Sequence, residues 1–136
     1  MAFSFGARSK RNLVGVHPML SAVARRALEF GVMDFSVISG DRTQAEQDRL
    51  YTQGRTEPGP IVTWTMNSRH LIQADGFSHA FDFAVYIGGK LTWEERYYDE
   101  VGKHMVRVAR DLNIPVTWGG DFRKRKDRPH FQWEGS

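Results

Sequence analysis

Two histidines and an aspartate, His70, Asp82 and His130, lie in separate stretches of the chain, and a second aspartate, Asp127, stands three residues before the last of them. Two imidazoles and a carboxylate suit zinc, which in catalytic sites takes three protein ligands and leaves its fourth position to water. Zinc lowers the pKa of that water toward neutrality, and a nearby carboxylate can take the proton as a carbonyl is attacked. Asp127, fixed relative to His130 by a short turn through Pro129, is placed to be that base. The chain has no cysteine, so thiolate sites and disulfides are excluded and any transition metal must be held by His, Asp or Glu.

The same region, GGDFRKRKDRPHFQW at 119–133, carries Arg123, Lys124, Arg125, Lys126 and Arg128. Such a run most often makes a solvated loop, and in a chain of net charge +3 it would draw the protein to an anionic envelope. A small basic domain using these charges on nucleic-acid phosphates is an alternative of another class. The run has no interleaved aromatics and no nucleic-acid motif accompanies it, so no nucleic-acid partner is expected.

The elements that must position these residues follow from periodicity. Pro18 suits the first turn of a helix whose Leu20, Val23, Ala24, Ala27 and Leu28 recur at helical spacing before Gly31. FSVIS at 35–39 reads as a strand, and Thr43 with Glu46 forms a capping box for a helix ending near Gly54, which puts Arg42 at a strand-to-helix junction. A cation is disfavoured at a helix start by the dipole, which favours a functional use for Arg42. Residues 55–69 have no period and form a long loop. In HAFDFAVYIGGKL, Phe81, Phe83, Val85 and Ile87 alternate with Ala80, Asp82, Ala84 and Tyr86 before a Gly88-Gly89 turn. Thr92 and Glu95 suggest a second capping box, and Trp93, Tyr97, Val101, Met105, Val108 and Leu112 mark one side of a long helix closed by Asn113 and Pro115. VTW and HFQW are two short strands, the second with His130 and Gln132 on one face. His17 and His104 have no matching partners and read as structural. At 136 residues with 9 Phe and 4 Trp, one domain spanning 1–136 is expected, without a separate wall-binding unit.

SRH (68–70), AFDF (80–83) and WGGDF with DRPHF (118–131), preceded by SGDRT (39–43), resemble the zinc peptidases grouped with D-alanyl-D-alanine carboxypeptidases, most closely the small bacteriophage endolysins that cut the L-alanyl-D-glutamate bond of peptidoglycan. The resemblance implies an α+β domain of the hedgehog/DD-peptidase kind, in which a small antiparallel sheet carries the zinc site and helices pack against it. It implies His70, Asp82 and His130 as zinc ligands, Asp127 as catalytic base, Arg42 as the cation that polarises or binds a substrate carbonyl or carboxylate, and Ser68 as a substrate contact. Members of that family usually hold the first histidine and the aspartate closer together, with a glycine between. Here they are twelve residues apart with Ser78 in the glycine's place, which points to an insertion within LIQADGF. His79 is the rival ligand, but strand alternation sends it to the face opposite Asp82.

The expected activity is therefore a monomeric zinc metallopeptidase acting on bacterial peptidoglycan, with D-alanyl-D-alanine carboxypeptidase as the alternative on the same scaffold. Cleavage between L-alanine and D-glutamate is favoured because Arg42 is the only cation matched to the family and little chain is left for a lid over a terminal carboxylate. MAFSFGARSKRNLVGV has no uninterrupted apolar segment behind its basic residues and no run is long enough to span a bilayer, so the chain is expected to accumulate in the host cytoplasm until a holin opens the membrane.

Overall fold

The computed structural model describes residues 3–31 and 33–135. In chain order the elements are α1 (Ala7–Leu13), α2 (Pro18–Glu29), β1 (Asp34–Ser39), α3 (Gln44–Thr52), β2 (Ala80–Ile87), β3 (Lys90–Thr92), α4 (Glu95–Asp111), β4 (Val116–Trp118) and β5 (His130–Trp133). The sheet runs β1-β2-β5-β4, with β3 also paired to β2, and every pairing is antiparallel. This is the α+β architecture, a small antiparallel sheet with helices packed against it, that the family resemblance implied.

One face of the sheet is apolar. Phe81, Phe83 and Val85 of β2 and Phe131 of β5 are fully buried against Leu20, Val23 and Ala27 of α2 and Met105 and Ala109 of α4. Each such aromatic side chain contributes about 2 to 3 kcal/mol by leaving water. Because side chains alternate along a strand, the residues between them, Asp82 and His130, are delivered to the opposite face. The helices on one side thus fix the register of the polar side.

Two expectations change. Thr92 does not cap α4: it pairs with Val85 in β3, its hydroxyl accepts the Glu94 N–H (3.2 Å), and Glu94 is the N-cap. Strand pairing has taken the residue that the capping pattern claimed. The buried aromatic at the start of α4 is consequently Tyr98, whose hydroxyl donates to the Thr92 carbonyl (2.8 Å) and accepts the Val85 N–H (3.1 Å), while Trp93 lies ahead of the helix and is exposed. Helix α1 was also not anticipated, because ARSKRNL has no apolar period. It is held through polar groups instead: Ser9 Oγ accepts the Val37 N–H (3.0 Å) and Asn12 Nδ2 donates to the Val37 carbonyl (2.8 Å), covering the outer edge of β1.

Candidate metal centre and catalytic cleft

His70 is positioned from three directions. Ser68 Oγ accepts its backbone N–H (3.1 Å), its carbonyl accepts the Arg42 N–H (2.8 Å), and its ring Nδ1 donates to the Gly40 carbonyl (2.8 Å). Gly40 follows a register shift in β1 between Val37 and Ser39, where a bulge turns the strand end toward the site. It must be glycine, since a Cβ there would collide with the Asn12 carbonyl. With Nδ1 occupied, His70 turns Nε2 to Asp82 Oδ1 at 3.3 Å.

Asp82 and His130 are register partners across β2 and β5. His130 Nδ1 lies 3.4 Å from Asp82 Oδ1, and its Nε2 donates to Gln132 Oε1 (2.8 Å), whose amide in turn donates to Glu134 Oε1 (2.5 Å). One ligand atom from each of His70, Asp82 and His130 falls within 4.8 Å of the other two. Each imidazole therefore has one nitrogen held by an oxygen acceptor and the other aimed at a shared point, the arrangement that fixes tautomer and orientation in metal sites. The donor set fits a divalent cation of the zinc class. Burial alone would raise the Asp82 carboxyl, but His70 and then His130 outweigh it and hold it well below the carboxylate range. Burial would lower the His130 imidazole, but the hydrogen bond and charge of Asp82 prevail and raise it.

Asp127 stands on the open side of this trio, with Oδ2 4.0 Å from His130 Nδ1 and 57% of its side chain exposed. Its N–H donates to the Gly119 carbonyl (2.9 Å) and its own carbonyl accepts the His130 N–H (3.0 Å). Gly119 packs so closely on the Asp127 carbonyl that a Cβ would not fit. The WGGDF and DRPHF segments are thus two halves of one clamp, and Arg128 fastens it to α4 through Asp99 (2.9 Å) and Glu95. Burial, and then the charge of Asp82, push the Asp127 carboxyl above its ordinary value. Arg42 Nη2 approaches Asp82 Oδ2 at 3.9 Å, and Nη1 donates to Gln47 Oε1 (2.7 Å).

The remaining residues sort clearly. Ser68 is buried, and its geometry serves the His70 turn. His79 faces away from the trio: its Nε2 pairs with Asp75 (2.8 Å) and its ring meets Trp133 at 4.8 Å. The residues between His70 and Asp82 fold back on themselves, with Gln73 N–H on the Phe77 carbonyl (2.9 Å) and Ile72 bridged to Ser78, so they loop out while His70 and Asp82 stay side by side. His17 caps α2 through Nδ1 and His104 ties α4 to the Ala27 carbonyl (2.9 Å). Sequence reasoning did not single out Gln47, Gly40 or Glu134, and it noted Gln132 only as the face-mate of His130.

The family model described as phage L-alanyl-D-glutamate peptidase matches residues 1–132. The chain belongs to that family. Among phage L-alanyl-D-glutamate peptidase relatives, the peptidase of Escherichia phage T5 is 32% identical over 128 residues, covering 93% of this chain and 87% of its own. Peptidoglycan L-alanyl-D-glutamate endopeptidase CwlK of Bacillus subtilis is 32% identical over 127 residues, covering 86% of this chain and 72% of its own. The crystal structure of the Serratia marcescens L-Ala D-Glu endopeptidase ChiX superposes with a TM-score of 0.80 at 37% identity, over 98% of this chain and 90% of that one. The sheet and helices described above are thus shared with an L-Ala D-Glu endopeptidase whose structure is solved. Among the described residues, no helix is long and apolar enough to cross a membrane.

Proposed function

We propose that the protein is a zinc-dependent peptidoglycan endopeptidase that hydrolyses the bond between L-alanine and D-glutamate, used by a phage to lyse its host. The observation that carries this reading is the convergence of His70, Asp82 and His130 beside Asp127 and Arg42, in a chain of the L-alanyl-D-glutamate peptidase family. Zinc held by the trio would supply a Lewis acid and a water acidic enough to react near neutrality. Asp127 Oδ2, on the open side of the trio, takes the proton of the attacking water and returns it to the leaving amine. Arg42 directs its forked donors at the scissile carbonyl or at the α-carboxylate of D-glutamate, which stays free because the stem continues through the side chain. The chain is proposed to wait in the host cytoplasm for a holin-type opening of the membrane.

Digestion of purified sacculi followed by mass analysis tests this directly. New D-glutamate amino termini, with L-alanine left on the glycan, are expected. Release of D-alanine alone would favour the carboxypeptidase reading.

A further inference from the structure

A groove of about 440 Å3 opens beside Asp127, between the segment at 62–64 and the segment at 122–126. Its wall residue Phe122 packs 5.7 Å from the ring of His130, so one side chain separates the groove from the His70, Asp82 and His130 trio. The basic residues of this region are not equivalent. Arg128 is committed to Asp99 and Glu95, and Lys126 Nζ donates to the Gly120 carbonyl (2.9 Å). Lys124 and Arg125 line the groove and make no ion pair among the described residues. Arg125 is held in place by an aromatic surface, its Cζ lying 4.1 Å over the ring of Trp64 on the opposite wall. That wall is itself anchored, since buried Gln47 donates to Thr63 Oγ1 (3.1 Å) and to the Thr65 carbonyl (2.6 Å).

We infer that this groove is a subsite for the carboxylates of the stem peptide beyond D-glutamate, with Lys124 and Arg125 determining specificity and Trp64 holding Arg125 in position. The inference rests on the endopeptidase reading above. Its direction comes from charge: in a peptidoglycan stem the free carboxylates lie on D-glutamate and on the residues after it, whereas the lactoyl-L-alanine side carries none. Two cations beside the catalytic base, one of them held over Trp64, match the anionic side of the scissile bond, and cations paired with carboxylates make the stronger class of hydrogen bond. The run is therefore more than a general attractant for envelopes.

The test uses L-alanyl-γ-D-glutamyl-diaminopimelyl-D-alanine with all carboxylates free, and the same peptide amidated only beyond D-glutamate. The metal-loaded wild-type protein should show a KM for the free peptide lower by about tenfold, the size of one charge-assisted contact. Lys124→Gln combined with Arg125→Gln should abolish that preference, and Trp64→Ala should reduce it. Arg8→Gln with Lys10→Gln, the same charge loss at exposed positions on α1, should leave it intact. Calorimetric binding of the released product peptide should follow the same order without any turnover. A preference that survives in the groove variant, or that falls equally in the α1 variant, overturns the subsite. Wild-type protein that cuts neither peptide at L-alanine but releases D-alanine overturns the endopeptidase reading itself.

Discussion

Gln47 holds Arg42: the guanidinium donates to the buried side-chain carbonyl at 2.7 Å while the amide nitrogen of the same residue grips the 63–65 segment. One side chain with no solvent exposure thus sets both the cation of the site and one wall of the groove. Gln47→Leu, similar in volume, should lower kcat/KM by roughly tenfold through the loss of these polar contacts. Metal content should stay unchanged. In an Arg42→Ala background the further loss should be much smaller, and full additivity in that double-mutant cycle would show that Gln47 acts through the 63–65 segment and not through Arg42.

About one zinc per chain is expected by elemental analysis, with activity lost to chelators and restored by zinc. His70→Ala, Asp82→Ala and His130→Ala should each purify without metal, whereas His79→Ala should keep it. Gln132→Leu, which frees His130 Nε2, should weaken zinc affinity by about tenfold to a hundredfold. An empty site in His79→Ala alone would mean that the loop at 71–79 delivers a different ligand.

Asp127→Asn should retain fold and zinc, since the backbone contacts of Asp127 to Gly119 and His130 do not involve its carboxylate. Turnover should fall by about a hundredfold or more, as an amide accepts no proton. Near-native turnover in a zinc-loaded variant would remove Asp127 from the reaction.

The paired titrations of Asp82 and His130 predict a pH window for the metal-free protein. The Asp82 carboxyl is depressed, so its stabilisation is present above the ordinary carboxylate value and is lost as pH falls through the depressed one. The His130 imidazole is raised, so its stabilisation is complete below the ordinary value of roughly 6.5 and is lost as pH rises through the raised one. Thermal unfolding of chelated protein should therefore show stability declining at both ends, with the alkaline decline absent in His130→Gln. Metal binding requires neutral His130, so zinc affinity should increase with pH across the alkaline flank, and calorimetry in two buffers should report proton release. Equal observed heats in two buffers of different ionisation enthalpy would contradict a protonated His130 in the free protein.

Much of the site was legible because it is carried by short local patterns. Strand alternation alone separates Asp82 from Phe81 and Phe83, and sends His79 to the far face. The trio could be assembled because a chain without cysteine offers a transition metal only His, Asp and Glu, and the SRH, AFDF and DRPHF motifs single out His70, Asp82 and His130. The support around them was not legible, since Gln47 acts through contacts between elements, Glu134 acts on the site through the side chain of Gln132, and neither gives a periodic signal. The bulge before Gly40 is likewise set by tertiary pairing, and Thr92 shows that a correct capping pattern yields when a strand partner is available. The basic run was read as one charge block because sequence shows adjacency only; in the fold its members go to α4, to Gly120 and to Trp64.

The position of β5 has a consequence for biosynthesis. It follows every other strand in the chain, yet it is inserted between β2 and β4 rather than added at an edge. A nascent polypeptide that has emerged only as far as β4 exposes the unpaired side of β2 and lacks His130, so it holds neither a closed sheet nor the third member of the proposed metal site. Hydrolytic competence is thus expected only after residues 130–133 have paired between β2 and β4. Fragments arrested before that point should be wall-inactive and prone to strand-mediated self-association.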